Sequence, residues 1–151
     1  MGVFENTSLF GIPDTQMKRL QKVQNTAARI LTKTRKYDHI THILKSLHWL
    51  PVDKRMEFKI NLLTFKCLHG EGPEYLTELL TPYTPHRTLR SADRHLLCVP
   101  KTRLKTYGDR SFAKCAPTLW NSLPETVKSS QTLSIFKAAL KAHLFHVAYD
   151  M

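Results

Sequence analysis

Positive charge is the chemical feature that dominates this sequence. Lysine and arginine number 23 against 12 aspartates and glutamates, which gives a formal net charge of +11. A charge of this size favours a polyanion, a membrane surface or an acidic protein as partner, and nucleic acid is the commonest polyanion. The places where the cations cluster therefore decide which partner is favoured.

The first cluster lies in "PDTQMKRLQKVQNTAARILTKTRK", residues 13–36, where no acidic residue follows Asp14. Pro13 is suited to opening a helix, and apolar residues recur at helical spacing. This stripe, which would pack inward and leave a basic outer face, comprises Met17, Leu20, Val23, Ala27, Ile30 and Leu31. A merely solvated face would usually mix both signs of charge. The predicted phosphate-binding residues here are Lys18, Arg19, Lys22, Arg29, Lys33 and Arg35.

The second cluster lies in "TPYTPHRTLRSADRHLLCVPKTRLKTYGDRSF", residues 81–112, which is proline-rich and has poor helical periodicity. Arginine forks clamp phosphates and aromatic faces stack on unpaired bases, so tyrosines among arginines suit single-stranded nucleic acid. The candidates are Arg87, Arg90, Arg94, Lys101, Arg103, Lys105 and Arg110, with Tyr83 and Tyr107 between them. The alternative is a loop whose arginines pair with acidic helices of the same protein. The run "HLLCV" is strand-like and could pair with "RLKTYG".

Residues that could support catalysis or bind a metal do not form a recognisable pattern. The pairs His39/His42 and His143/His146 are three residues apart, but neither has an acidic or cysteine partner at ligand spacing. No nucleophile elbow, HExxH motif, glycine-rich phosphate loop or pair of palm carboxylates appears. The sequence thus predicts a protein that is not an enzyme and has no cofactor, no metal and no catalytic residue. Its three cysteines, Cys67, Cys98 and Cys115, are expected to be reduced and buried.

The elements that would position the cations are helices joined at proline corners. In "LHWLPVDKR", Pro51 disfavours helix at Leu50 and suits the first turn of the next helix, so Trp49 is predicted to pack over the join. The preceding helix would be led by Asp38 and the following one would end near Gly70. Trp120 stands before a second Leu-Pro step in "LWNSLP". Trp49, Pro51 and Trp120 are therefore predicted to be structural.

These patterns predict a mainly α fold, a small helical bundle with an irregular basic segment and room for a short β-hairpin. Residues 1–81 would form a helical domain, 82–112 a basic irregular linker with short strands, and 113–151 a helical segment packed on the first. No apolar run is long enough to span a bilayer, and the N-terminus lacks the features of a signal peptide. We expect no membrane association and a location in the nucleus or cytoplasm.

Several motifs together resemble a known family. "GIPDTQMKRLQKVQNTAARILT", "LHWLPV", "RTLRSADRHLLCVP" and "LWNSLP" occur in this order. They resemble the C-terminal region of reverse transcriptases from LINE-type non-LTR retrotransposons, over nearly the whole chain from Gly11 to Phe145. The resemblance implies a thumb-like region beyond the polymerase palm. The Asp-Asp palm, the endonuclease and the CCHC zinc knuckle of some lineages are not in these residues.

The resemblance and the charge leave three functions open. The first is a non-catalytic reverse transcriptase fragment that binds RNA or DNA template-primer through the basic surfaces. The second is a protein-docking module that binds the polymerase core of the parent polyprotein. The third is a retroelement remnant without a selected function. Salt-dependent binding of RNA or DNA would separate the first function from the second.

Overall fold

The computed structural model of the chain describes residues 12–84, 95–101 and 111–149. Within these ranges the structure is mainly helical, which confirms the predicted fold class. The helices are α1 Asp14–Thr32, α2 Ile40–Ser46, α3 Val52–Leu68, α4 Glu74–Thr77, α5 Phe112–Ser122, α6 Glu125–Lys128 and α7 Leu133–Tyr149.

Helix α3 is the central element of the bundle. It contacts α1, α4, α5 and α7, and its residues Met56, Ile60, Leu63 and Cys67 are buried, as their spacing predicts. A helix that is apolar on two faces needs neighbours on both sides, which explains this position.

The main core is built around three aromatic rings from three helices. The rings of Phe65 in α3 and Phe136 in α7 stack with centroids 4.3 Å apart. The Trp120 ring of α5 lies 5.8 Å from that of Phe136, and Trp120 is only 1% exposed. Residues 111–149 and α3 therefore share one hydrophobic core.

A second, smaller apolar cluster lies under α1 and α2. Ala28, Ile43 and Leu44 are buried there, and Trp49 and Tyr149 pack against them. The Tyr149 hydroxyl donates a hydrogen bond to the Trp49 carbonyl oxygen. The end of α7 is thereby tied to the segment that joins α2 to α3.

Helix α2 ends at Ser46, well before Pro51. His48 adopts a left-handed conformation with φ of 52°, and the Trp49 N–H donates to the Leu44 carbonyl oxygen at 2.9 Å. This geometry is that of a helix C-terminal cap, which glycine usually provides. Pro51 then precedes the first residue of α3. The cap, rather than the proline, stops the first helix.

The start of α2 also differs from the prediction. The helix begins at Ile40, after His39, and not at Asp38. A carboxylate oxygen of Asp38 instead accepts a hydrogen bond from the Arg35 N–H at 3.1 Å. The Asp38 side chain thus closes the turn before α2 and does not cap the helix.

The strand-like run "HLLCV" pairs with a segment that the sequence did not indicate. Leu97 and Pro82 form an isolated antiparallel bridge, in which the Tyr83 N–H donates to the Leu96 carbonyl oxygen at 2.9 Å. The predicted partner "RLKTYG" lies outside the described residues. In the part of the chain that is described, the pairing does not extend into a strand.

Two side chains of α5 hold this run in place. The Asn121 side chain accepts from the Leu97 N–H at 2.9 Å and donates to the Leu97 carbonyl oxygen at 2.8 Å. The Trp120 Nε1–H donates to the His95 carbonyl oxygen at 2.8 Å. Polar side chains thus replace a neighbouring strand, and Leu97 is only 3% exposed.

Around α4 and the Leu97 bridge, some residues expected inside the fold are exposed. Cys98 is exposed, unlike Cys67 and Cys115, because side chains alternate along an extended segment and Leu97 takes the inner side. The sequence "GEGPEYLTELL" predicts a short helix opened by Pro73, with Tyr75 and Leu79 pointing inward beside Leu76 and Leu80. Tyr75 and Leu79 are exposed because α4 is a single turn that buries only one side.

Candidate nucleic-acid interface

Between Asp14 and Asp38, the exposed charges on α1 and on the loop after it are all positive. From Thr15 to Tyr37 the chain has no carboxylate. Five predicted phosphate-binding residues are exposed here, namely Lys18, Arg19, Lys22, Lys33 and Arg35. Lys18, Arg19 and Lys22 lie within one helical turn of each other, so their positive potentials add over a short distance.

The Arg29 side chain is hydrogen-bonded to backbone groups of the protein itself. Its guanidinium donates to the carbonyl oxygens of Arg35 at 2.5 Å and of Asp38 at 2.8 Å. These bonds fix the loop between α1 and α2. Arg29 thus positions the backbone beside exposed Arg35, although it was predicted to contact phosphate.

Most of the second predicted cluster lies outside the described residues. This applies to Arg87, Arg90, Arg94, Arg103, Lys105, Arg110 and the interleaved Tyr107. Lys101 is described and exposed, and Tyr83 is 45% exposed. Of the second cluster, the structure therefore describes only Lys101 and Tyr83.

Helix α1 is rotated about its axis relative to the prediction. The buried positions are Gln24 and Ala28, whereas Leu20, Val23, Ala27, Ile30 and Leu31 are exposed. Of the predicted stripe only Met17 is half-buried. The helix turns a largely polar side toward the fold because that side has specific hydrogen-bond partners there.

Those partners are the backbone groups on either side of Pro51. The Gln24 side chain donates to the Leu50 carbonyl oxygen at 2.7 Å, and the Gln21 side chain accepts from the Val52 N–H at 2.9 Å. Gln21 also donates to Gln24 at 2.9 Å. Sequence reasoning missed both glutamines, and their three-residue spacing on the basic helix was the only signal for them.

Trp49 is half-buried at the edge of this contact. The Arg55 guanidinium lies 5.8 Å from the centroid of the Trp49 ring, within the range of a cation–π interaction. The other predicted structural tryptophan, Trp120, lies in the main core. The indole of Trp49 therefore remains partly accessible between α1 and α3.

A polar group that the sequence analysis did not single out lies near the end of α6. Glu125 contacts His95 at 3.0 Å and Lys128 at 3.2 Å, and Lys128 is only 6% exposed. The hydrogen bond from His95, together with Lys128, lowers the pKa of Glu125. His95 and Lys128 line a pocket of about 470 Å³ that Trp120 closes on one side. Because each side chain here has a partner, we interpret the group as part of the fold.

Neither a metal centre nor a membrane span is found in the ranges that the structure covers. No three histidine, cysteine or acidic side chains lie close enough to hold a metal ion within residues 12–84, 95–101 and 111–149. In the same ranges, no helix combines the length and apolar character needed to cross a bilayer.

Comparison with known proteins gives no family assignment. No family model, no curated protein and no solved structure matches this chain.

Proposed function

We propose that this protein binds single-stranded RNA or DNA through the basic surface of α1, as a non-catalytic C-terminal part of a non-LTR retrotransposon reverse transcriptase. The supporting observation is the set of exposed cations Lys18, Arg19, Lys22, Lys33 and Arg35, which no carboxylate of the same stretch offsets. The order of the motifs "LHWLPV", "RTLRSADRHLLCVP" and "LWNSLP" supports the proposed origin in a reverse transcriptase. Binding should tolerate changes of sequence, since phosphate contacts carry no base information.

The test is a salt titration with a fluorescein-labelled oligo(dU) and the matching oligo(rU), followed by fluorescence anisotropy. Each neutralised phosphate of a single strand contributes about 0.7 to the slope of log affinity against log salt. Lys18→Gln with Lys22→Gln should therefore lower the slope by about 1.4. Lys137→Gln with Lys141→Gln removes the same number of exposed charges from α7 and is the matched control.

Two results would contradict this proposal. The first is weak binding whose affinity does not change with salt, which would favour the docking of an acidic protein. The second is an equal loss of slope in both double variants, which would show that net charge acts without a defined surface. A related expectation is that primer extension with magnesium and deoxynucleotides gives no product above a blank.

A further inference from the structure

The outer side of α1 exposes aliphatic side chains over several turns. Val23 is 68%, Ile30 72% and Leu31 64% exposed, and Leu20 lies one turn before Val23 at 36%. Single exposed apolar residues are ordinary, but a contiguous row on one helix marks an interaction surface. We name the row Leu20, Val23, Ala27, Ile30 and Leu31 the α1 stripe.

The α1 stripe cannot turn inward without loss of the hydrogen bonds that Gln21 and Gln24 make beside it. Gln24 is 7% exposed and bonded to the Leu50 carbonyl oxygen, and Gln21 is bonded to the Val52 N–H. A rotation of α1 would leave the buried Leu50 carbonyl and the part-buried Val52 N–H without these partners, which is costly. The outward direction of the stripe is therefore a fixed property of the fold.

Beside the stripe lies a groove between α1 and α3. Its walls are mainly apolar, its volume is about 370 Å³, and its lining includes Leu20, Val23, Ala27, Trp49, Val52 and Met56. The charged side chains that line it are Arg55 and Lys59, and the lining contains no carboxylate. Within the described residues, neither cation forms a salt bridge.

The opposite edge of the stripe is also basic. Arg19 and Lys22 line a shallow apolar depression with Val23, Ala27 and Ile30. The α1 stripe thus lies between two pairs of cations, Arg19 and Lys22 on α1 and Arg55 and Lys59 on α3. The complementary ligand has an apolar centre and carboxylates along both edges.

The aliphatic character of the stripe separates this site from the phosphate-binding surface. Nucleic acid gains affinity from cations and from aromatic rings that stack on bases, and aliphatic side chains offer little to either. An amphipathic helix, in contrast, places apolar residues at three- and four-residue spacing into such a groove. Leu20 to Ile30 spans about 15 Å, the length of roughly three helical turns.

We propose that the groove between α1 and α3 binds an amphipathic helix of another protein, whose apolar face covers the α1 stripe and whose acidic edges meet Arg55 and Lys59 on one side and Arg19 and Lys22 on the other. This function is distinct from the proposed binding of nucleic acid, although both use Arg19 and Lys22. It uses the uncharged side chains of the stripe as its centre.

The probe for the test is a synthetic, fluorescein-labelled helix of 16 residues with leucines on one face and glutamates elsewhere. The full-length protein should bind it in an anisotropy titration, and more weakly at high salt. Val23→Gln with Ile30→Gln should weaken binding at least tenfold without a change in thermal midpoint, because both side chains are exposed. Ile135→Gln, at a 55% exposed position of α7, is the control and should not change binding.

A second pair of measurements tests the charge pattern. Arg55→Gln with Lys59→Gln should weaken binding of the acidic probe and reduce its preference over a probe with lysine in place of glutamate. Equal binding of the acidic and basic probes to the unmodified protein would overturn the proposal. Equal binding of a scrambled acidic probe, whose leucines do not share a face, would do the same.

Two further outcomes would assign the stripe to another occupant and so overturn the proposal. If Val23→Gln with Ile30→Gln abolishes a concentration-dependent dimer while the probe does not bind, the occupant is a second copy of the chain. If the same variant loses affinity for oligo(rU) and the probe does not bind, the stripe belongs to the nucleic-acid surface. Sedimentation velocity and the anisotropy titrations distinguish these outcomes.

Discussion

At the scale of single residues, two glutamines, the buried Gln24 and the half-buried Gln21, pair the backbone groups that a proline corner leaves unpaired. The Leu50 carbonyl and the Val52 N–H flank Pro51, where no continuous helix can pair them. Gln24 and Gln21 supply the missing partners from α1. The corner between α2 and α3 is therefore stabilised by side chains that lie far away in the sequence.

Loss of the Gln24 side chain should destabilise the protein markedly. Gln24→Ala leaves the buried Leu50 carbonyl without its donor, which should cost about 1–3 kcal/mol. Urea denaturation followed by circular dichroism measures this change in the free energy of unfolding. Gln16→Ala, at an exposed position of the same helix, is the control and should have little effect. Equal effects of the two variants would show that the bond contributes nothing beyond helix propensity.

The buried thiol of Cys115 should weaken the protein at alkaline pH. Burial raises the pKa of Cys115 from 9.0 to about 11. A group whose pKa is higher in the folded state contributes stability that is fully present below pH 9 and is lost as the pH rises toward 11. Over this window the unfolding free energy should fall more steeply in the unmodified protein than in Cys115→Ala. Lysine and tyrosine titration is common to both proteins, so parallel curves would contradict the prediction.

At the scale of elements, the sequence predicted the positions of the helices far better than it predicted which side of each helix is buried. Apolar spacing and proline positions predicted α1 and α3 and the inward side of α3, because aliphatic burial decides that orientation. The rotation of α1 was predicted wrongly, since it depends on hydrogen bonds to the backbone of Leu50 and Val52. No pattern within α1 reveals those partners.

The candidate site shows the same limit. Lys18, Arg19 and Lys22 are exposed, as a helix with one sign of charge predicts. Arg29 looks identical in the sequence but binds two backbone carbonyl oxygens of the following loop. The path of that loop, which composition does not encode, separates a positioning arginine from an accessible one.

The end of α1 offers a test of backbone strain at a single position. Lys33 caps the helix in a left-handed conformation with φ of 52°, which costs a residue with a Cβ about 1 kcal/mol or more relative to glycine. Lys33→Gly should therefore raise stability relative to Lys33→Ala by about 1 kcal/mol. The alanine variant removes the same charge and keeps the strain. Equal thermal midpoints of the two variants would show that the strain is relieved elsewhere.

At the scale of the whole molecule, the two apolar clusters should respond differently to the loss of a tryptophan. Trp120 is buried among rings from α3 and α7, so Trp120→Ala should cost about 3–5 kcal/mol. Trp49 is half-buried in the smaller cluster, so Trp49→Ala should cost clearly less. Thermal and urea denaturation of both variants measures the difference. A larger loss in Trp49→Ala would place the main stabilising core under α1 and α2.

The bond between Tyr149 and the Trp49 carbonyl joins residues that are separated by 100 positions. During synthesis on the ribosome, residues 14–68 emerge well before α7. The corner between α2 and α3 therefore lacks its hydrogen bond from Tyr149 until α7 has emerged. The early part of the chain can form helices locally, but its corner becomes complete only after residue 149 is free to dock. A ribosome stalled before residue 149 has emerged should therefore display a corner that is open to proteolysis, and emergence of α7 should close it.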